Sequence, residues 1–290
     1  MNSIARSHMR ELLETEQCMT CASVFDPLSS RMAESIGFKV GILGGSVASL
    51  MSLGVPDITL LTLNELANQA RRVCSASDLP VIVDGDNGYG NSLNVMRAVE
   101  ELEYAGASVI TLEDTILPRP FKGPALSLIS VEEGKTKLKA AVKARKDPAF
   151  SIFARTHALE SQPLDELLTR VKAYSETGVD GICIFGISDK DKLAKISEAT
   201  DLPLMLISYG DVDLGTPDEL AQQNVRIRLN GHRPYEESVK AIYRSYMELH
   251  LGNEYSETEK SAQDIIKKYS QSCKYSDITT DFIFPANTQT

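Results

Sequence analysis

The amino-acid sequence predicts an α/β fold, namely a closed (β/α)8 barrel of the TIM type. Short apolar runs rich in β-branched residues alternate with helical patterns between residues 21 and 250. Such alternation implies parallel strands joined by helical crossovers. Eight strand–helix units fit a closed barrel better than an open doubly wound sheet. No Gly-x-Gly-x-x-Gly sequence follows the first strand, so a dinucleotide site is not expected.

The first units carry clear signals for helix ends. A short helical pattern lies within residues 1–20. Pro27 then begins a helix that ends before Gly37, and Thr62 with Glu65 forms a capping box for the next helix. The predicted strands of this part cover residues 21–26, 40–45 and 80–84, and its helices cover residues 27–36, 62–75 and 92–105.

The later units repeat the same order. Their strands are predicted at residues 108–113, 150–155, 180–185, 202–207 and 225–230, and their helices at 131–145, 163–177, 189–199, 217–223 and 235–250. The pattern then changes to a polar break, a short helical segment at 257–269 and a polar tail. We therefore predict a catalytic barrel over residues 1–250 and a C-terminal helical extension over residues 251–290.

Composition excludes several classes of protein. The chain has 290 residues and a net charge of −10, which argues against a nucleic-acid partner. Its start has no apolar core for a signal peptide, and no apolar run reaches the length of a membrane span. The pair Cys18 and Cys21 has the CxxC spacing but lacks the second pair of a zinc site. We expect a cytoplasmic protein without a membrane partner.

The most informative stretch is Asp84-Gly-Asp-Asn-Gly-Tyr-Gly90, which ends the strand at 80–84. Asp84 and Asp86 lie two residues apart, so both carboxylates point to one face and repel each other unless a cation lies between them. Hard oxygen ligands of this kind suit Mg²⁺ or Mn²⁺. Taken alone, the motif also fits an Asp-Gly turn with solvated acids.

Polar residues recur where the other predicted strands end. Because a barrel enzyme builds its site from the carboxyl ends of its strands, these residues are the candidates for a shared site. Mg²⁺ takes only one or two direct carboxylates, so we expect Asp84 as the direct ligand and Asp57, Asp86 and Glu113 to act through water. The full set comprises Asp26, Gly44, Gly45, Ser46, Asp57, Asp84, Asp86, Glu113, Asp114, Arg155, Asn230, Gly231 and His232.

Each candidate also has a structural interpretation. Asp26 and Asp114 have the character of helix N-caps, and Glu113 fits an ion pair with a barrel lysine. Arg155 fits a structural ion pair inside the barrel, and His232 fits an ordinary loop histidine. His8, His157 and His250 are interpreted as surface or structural residues.

These motifs resemble the isocitrate lyase / phosphoenolpyruvate mutase superfamily. The matching segments are Ser23-Val-Phe-Asp26, Gly44-Gly-Ser46, Asp84–Gly90, Thr111-Leu-Glu-Asp114, Ala154-Arg-Thr156 and Asn230-Gly-His232, in the family's order over roughly residues 20–250. Within the superfamily the chain is most similar to the bacterial oxaloacetate decarboxylases, through Gly41–Ser49, Asn91–Arg97 and Asn230–His232.

The resemblance implies a metal-assisted reaction of a 2-oxo acid. It implies Mg²⁺, with Mn²⁺ possible, and decarboxylation of oxaloacetate to pyruvate and CO2 through a stabilised enolate. Gly45 and Ser46 would bind the C1 carboxylate, Arg155 would stabilise negative charge, and His232 would contact the substrate near the departing carboxylate. The resemblance also implies a homotetramer in which a C-terminal helix is exchanged between subunits.

One segment departs from the lyases of the superfamily. Those enzymes carry a Lys-Lys/Arg-Cys-Gly-His lid, whereas residues 117–126 read Leu-Pro-Arg-Pro-Phe-Lys-Gly-Pro-Ala-Leu, without cysteine or histidine. Cleavage that uses the lid cysteine is therefore not expected. Two alternatives stay open: a C–C lyase like methylisocitrate lyase that acts on a 2-hydroxy or 2-oxo diacid with another acid/base, and a barrel that binds oxo acids without turnover.

Overall fold

A closed barrel of parallel strands forms the centre of the molecule. The computed structural model describes residues 2–252 and 260–284. All neighbouring strands are parallel, as expected for strands joined by helical crossovers. The strands, in the chain order used below, are β1 (Met19–Thr20), β2 (Ala22–Ser23), β3 (Gly41–Leu43), β4 (Val81–Asp84), β5 (Val109–Glu113), β6 (Ser151–Thr156), β7 (Gly181–Phe185), β8 (Leu204–Ser208) and β9 (Val225–Asn230).

The first strand closes the barrel. In the sheet, β1 lies next to β9, and the strands then follow in descending order from β9 to β2. Only Cys21 separates β1 from β2 along the chain. The Cys21 N–H donates to the Arg228 carbonyl at 2.8 Å, and the Ala22 N–H donates to the Val40 carbonyl at 3.0 Å. The two pieces therefore act as one strand that pairs with β9 on one side and β3 on the other. This confirms the predicted (β/α)8 fold, with the first strand at 19–23 rather than 21–26.

Helices surround the barrel much as the sequence predicts. Three were not anticipated: α3, which begins directly where β3 ends, the short α7 after β6, and α13 in the tail that was predicted to be polar. The helices are α1 (Asn2–Glu14), α2 (Pro27–Ile36), α3 (Gly45–Leu53), α4 (Leu63–Cys74), α5 (Ser92–Ala105), α6 (Val131–Ala144), α7 (Ala158–Ser161), α8 (Leu164–Ser175), α9 (Lys190–Ser197), α10 (Pro217–Gln222), α11 (Arg233–Leu251), α12 (Ala262–Tyr269) and α13 (Ser272–Phe282).

Helix α1 closes the amino end of the barrel. Its Met9 and Leu13 pack into the interior cluster with residues such as Ile82 and Phe153. The buried Arg6 bonds the Ala107 carbonyl, just before β5. With this end plugged by apolar side chains, the carboxyl ends of the strands are left as the open face of the barrel.

The part after the barrel contains α12 and α13, and residues 253–259 and 285–290 of the predicted extension lie outside the described residues. The division at residue 250 remains a prediction. No helix within the described ranges is both long and apolar enough to cross a membrane.

Candidate active site

A cavity of about 810 Å³ opens at the carboxyl ends of the strands. The strand-end rule therefore brings most of the metal and substrate candidates together, because side chains from five different strand ends or following loops meet in this space. Of the residues expected to bind metal or substrate, those that line the cavity are Ser46, Asp57, Asp84, Asp86, Glu113, Arg155 and His232.

The carboxylates crowd around the start of α3. A Cβ built on Gly45 would lie 3.2 Å from Asp86 Oδ1, 3.5 Å from Asp84 Oδ2 and 3.6 Å from Asp57 Oδ2. The Gly45 N–H itself donates to Asp84 Oδ2 at 3.3 Å. Oxygens from three carboxylates thus surround one point, and a glycine there leaves room for them to approach the helix N-terminus.

Crowding and burial disfavour the ionised forms of Asp57 and Asp86. Burial, followed by the charges of Asp84 and Glu113, raises the pKa of Asp57 to about 6. Burial and then the neighbouring Asp84, Asp57 and Glu113 raise the pKa of Asp86 well above its usual range. A divalent cation would relieve this repulsion, so the acid cluster of Asp57, Asp84, Asp86 and Glu113 fits a metal of the Mg²⁺ type.

The spacing of the acids fits a hydrated cation. Among the described residues, no three carboxylate, imidazole or thiol side chains are grouped closely enough to hold a metal by themselves. Mg²⁺ usually keeps several waters and takes one or two carboxylates directly. A site with one direct carboxylate and other acids acting through water is compatible with both statements.

Arg155 is the cation that the acid cluster already contains. Its Nη1 lies 2.7 Å from Asp84 Oδ2 and its Nη2 lies 3.3 Å from Glu113 Oε2. The guanidinium also lies over the Phe185 ring, 5.2 Å from the centroid. Arg155 therefore makes the buried ion pair expected as its structural interpretation, and it does so at the edge of the cavity. Glu113 pairs with Arg155 rather than with a lysine.

His157 was interpreted as surface or structural, and the surface interpretation was wrong. It is buried at the cavity, with Nε2 3.0 Å from Glu113 Oε2 and Nδ1 2.7 Å from Glu160 Oε2. Its ring stacks on Phe185 at 4.4 Å. Burial alone would lower the pKa of His157, but the hydrogen bonds to both carboxylates raise it. The sequence did contain a signal for His157. Side chains alternate between the two faces of a strand, so residue 157 is expected to point the same way as Arg155.

His232 approaches the cavity from the end of β9. Ser23 Oγ lies 2.7 Å from His232 Nδ1, which fixes the ring on its buried side. Nε2 lies 2.7 Å from the place that a Cβ on Gly44 would occupy, so the ring packs against the backbone that begins α3. Burial lowers the pKa of His232, which favours the neutral imidazole.

Tyr209 is a second residue that the sequence analysis missed. It lines the cavity after β8, with its ring 6.2 Å from that of His232. Burial raises the pKa of its phenol, and its hydroxyl interacts with Ser46. The signal was again the end of a strand, but Tyr209 lies in a Ser-Tyr-Gly turn with no acid or base to draw attention.

Two strand-end acids lie apart from this cluster. Asp26 caps α2, because its side chain accepts from the Ser29 N–H at 2.6 Å. Asp114 is buried on the outer side of the barrel, where Arg170 contacts it at 3.1 Å and the Thr156 hydroxyl at 2.7 Å. Asp26 is thus a helix N-cap, as its structural interpretation predicted. Asp114 is instead part of a buried ion pair.

The architecture and the acid cluster together define a class: a (β/α)8 barrel with an acid-rich centre at the carboxyl ends of its strands. The family model described as phosphoenolpyruvate phosphomutase matches residues 9–250. The chain belongs to the phosphoenolpyruvate phosphomutase family, which confirms the superfamily inferred from the motifs.

Relatives narrow this assignment. An oxaloacetate decarboxylase of Pseudomonas savastanoi pv. phaseolicola is 48% identical over 268 residues, covering 92% of this chain and 91% of that protein. One of Ectopseudomonas mendocina is 50% identical over 238 residues, covering 82% of each.

Solved structures agree with the fold. An oxaloacetate acetylhydrolase in complex with 3,3-difluorooxalacetate gives a TM-score of 0.78 at 25% identity, covering 96% of each chain. A phosphonopyruvate hydrolase in complex with oxalate and Mg²⁺ gives 0.76 at 26% identity, covering 96% of this chain and 98% of that one.

Proposed function

We propose that this chain is a lyase that decarboxylates oxaloacetate to pyruvate and CO2 with a bound divalent cation, Mg²⁺ or Mn²⁺. The observation that carries the proposal is the acid cluster beside Arg155 at the strand ends. Relatives that are 48–50% identical to this chain and bear the name oxaloacetate decarboxylase support it. The same reaction fits a lid without the acid/base cysteine, because decarboxylation needs no base to begin.

Asp84 would hold the cation directly, and Asp57, Asp86 and Glu113 would hold it through water. Asp84 suits the direct role because it lies between the α3 N-terminus and Arg155, where its Oδ2 accepts hydrogen bonds from both the Gly45 N–H and the Arg155 guanidinium. When bound, the cation supplies a Lewis acid for the oxygens of a 2-oxo acid.

The start of α3 and Arg155 hold the negative groups of the substrate. Helix N-termini present free N–H groups and a partial positive charge, so Gly45 and Ser46 would receive the C1 carboxylate. Arg155 supplies a fixed positive charge where the enolate oxygen develops, and it is already oriented by Asp84 and Glu113 before substrate arrives.

His232 would contact the C4 carboxylate that leaves. The C3–C4 bond breaks, its electron pair passes to C3 and the keto oxygen, and C4 departs as CO2. C3 of the enolate then takes a proton from water or from an acid in the cavity. A neutral His232, held by Ser23, offers one ring nitrogen to this space without adding a full charge.

We also propose the homotetramer that the sequence analysis expected, with α11 as the exchanged helix because α13 lies over the cavity of its own chain. Helix α11 spans 19 residues and buries none of them. Its apolar side chains, such as Ile242, Tyr246 and Leu249, are 53–80% exposed. Packing this helix against a neighbouring subunit would remove its apolar side chains from water. Light scattering of the purified protein measures the mass of the assembly directly. A monomer at micromolar concentration would contradict this part of the proposal. A cytoplasmic location likewise remains a proposal.

The reaction itself is tested by supplying oxaloacetate, and separately (methyl)isocitrate, with Mg²⁺. Pyruvate formation above the spontaneous metal-catalysed rate is the expected result. Cleavage of the 2-hydroxy diacids instead would establish a C–C lyase. Tight binding of oxalate without any turnover would leave a binding protein.

A further inference from the structure

The C-terminal helix α13 forms one side of the cavity. The residues that face it are spaced by three or four along the helix, so they form a single stripe. None of the residues of α13 is buried. Ile278 and Phe282 remain 40% and 70% exposed, as expected for side chains that face an open cavity. The stripe comprises Tyr275, Ile278, Thr279, Phe282 and, just after the helix, Ile283.

The end of α13 is attached to the loop that replaces the lyase lid. The Lys122 N–H donates to the Ile283 carbonyl at 2.8 Å. The Arg119 guanidinium lies 5.3 Å from the Phe284 ring centroid, a distance typical of a cation–π contact. The lid residues Leu117, Pro118 and Leu126 continue the apolar lining. Lid and helix therefore form one apolar surface over a floor of charged side chains.

We propose that α13 is a wall of the active site and that Ile278 and Phe282 determine its specificity. This inference rests on the proposed function for the identity of the substrate. The carboxylates and the keto group of a 2-oxo diacid are held by the charged floor, so an apolar substituent on C3 meets the wall. The wall limits the bulk of that substituent.

The functional test compares two substrates in each variant. The ratio of kcat/KM for 3-ethyloxaloacetate to that for oxaloacetate should rise about tenfold or more in Ile278→Ala and Phe282→Ala, since one methylene in an apolar pocket changes kcat/KM by roughly 10–200-fold. Asp277→Ala and Asp281→Ala, exposed on the same helix but outside the stripe, should leave the ratio unchanged. An unchanged ratio in both apolar variants, or equal losses for both substrates, overturns the proposal.

The position of the wall is tested without turnover. Lys122→Cys with Ile283→Cys, in a Cys273→Ser background, places two thiols on hydrogen-bonded residues. The two thiols form a disulfide when diamide, the oxidant, accepts their two electrons and two protons. Mass spectrometry should find the cross-link within one chain. No cross-link, or one between chains, overturns the assignment of α13 to its own cavity. If the cross-link forms in the variant but the wild type does not consume oxaloacetate, the proposed reaction fails and the assignment of the wall stands. The ratio of affinities for ethylmalonate and malonate in Phe282→Ala then decides specificity.

Discussion

Replacing Gly44 by alanine should displace the His232 ring from its working position, although residue 232 itself is unchanged. The new Cβ would lie 2.6 Å from His232 Cε1 and 2.7 Å from Nε2. Non-bonded carbons sit about 3.5–4.0 Å apart, so the ring must retreat by about 1 Å. The backbone of residue 44, at φ −79° and ψ 148°, is ordinary extended chain that alanine adopts freely. The change therefore acts on the ring rather than on the backbone.

The magnitude follows from that displacement. A misplacement of about 1 Å of a group that contacts the substrate costs on the order of 100-fold in rate, which is about 2.7 kcal/mol of transition-state stabilisation. Moving the ring also disturbs its 2.7 Å bond to Ser23, a loss of about 1 kcal/mol. We expect kcat/KM for oxaloacetate to fall about 100-fold while Mg²⁺ affinity stays within about twofold.

A double-mutant cycle supplies the control. In a His232→Ala background the ring is gone, so Gly44→Ala should change kcat/KM by less than about twofold. Steady-state assays of the four proteins, each checked by circular dichroism, measure the coupling. A folded Gly44→Ala protein with wild-type kcat/KM, or an equal loss in both backgrounds, would refute the reasoning.

Three further changes test other parts of the site. Asp84→Asn should weaken Mn²⁺ binding more than the loss of an outer-shell partner does, which is typically about 10–100-fold. Electron paramagnetic resonance measures the Mn²⁺ affinity, and unchanged binding would exclude Asp84 as the direct ligand. Arg155→Met removes the cation that lies between two buried carboxylates and should lower the free energy of unfolding by about 3–5 kcal/mol, measured by urea titration in EDTA. Saturating Mg²⁺ should recover more stability in the variant than in the wild type. Equal recovery would show that the cation does not bind at these acids. Ser23→Ala should lower kcat/KM about tenfold by freeing the His232 ring, as expected for the loss of one buried hydrogen bond; full activity would show that Ser23 does not position the ring.

Most of the barrel was predictable because its signals are local. Pro27 with Gly37, and Thr62 with Glu65, set helix ends that the structure reproduces within a residue or two. The buried strands are short apolar runs whose ends are marked by polar residues. Helix α3 was missed because Gly44-Gly45-Ser46 suggests a loop, whereas Gly44 serves as its N-cap. Its small residues are required there by the packing of acids and of His232.

The site was predictable to the extent that strand ends converge. That rule brought Asp84, Glu113, Arg155 and His232 together correctly, because the carboxyl ends of parallel strands share one face. It could not tell Glu113 from Asp114, since neighbouring residues of a strand face opposite sides and the register is not visible in the sequence. The contribution of α13 was also hidden, because its stripe becomes meaningful only when the helix lies over the cavity.

The most direct test of the account measures oxaloacetate decarboxylation against Mg²⁺ concentration in wild type and Asp84→Ala. Pyruvate formation is corrected for the rate that free metal produces alone. We predict a saturable Mg²⁺ dependence in the wild type that EDTA abolishes, and a rate at background in Asp84→Ala at every Mg²⁺ concentration. Turnover that persists in EDTA, or wild-type turnover by Asp84→Ala, would contradict the assignment of catalysis to the acid cluster.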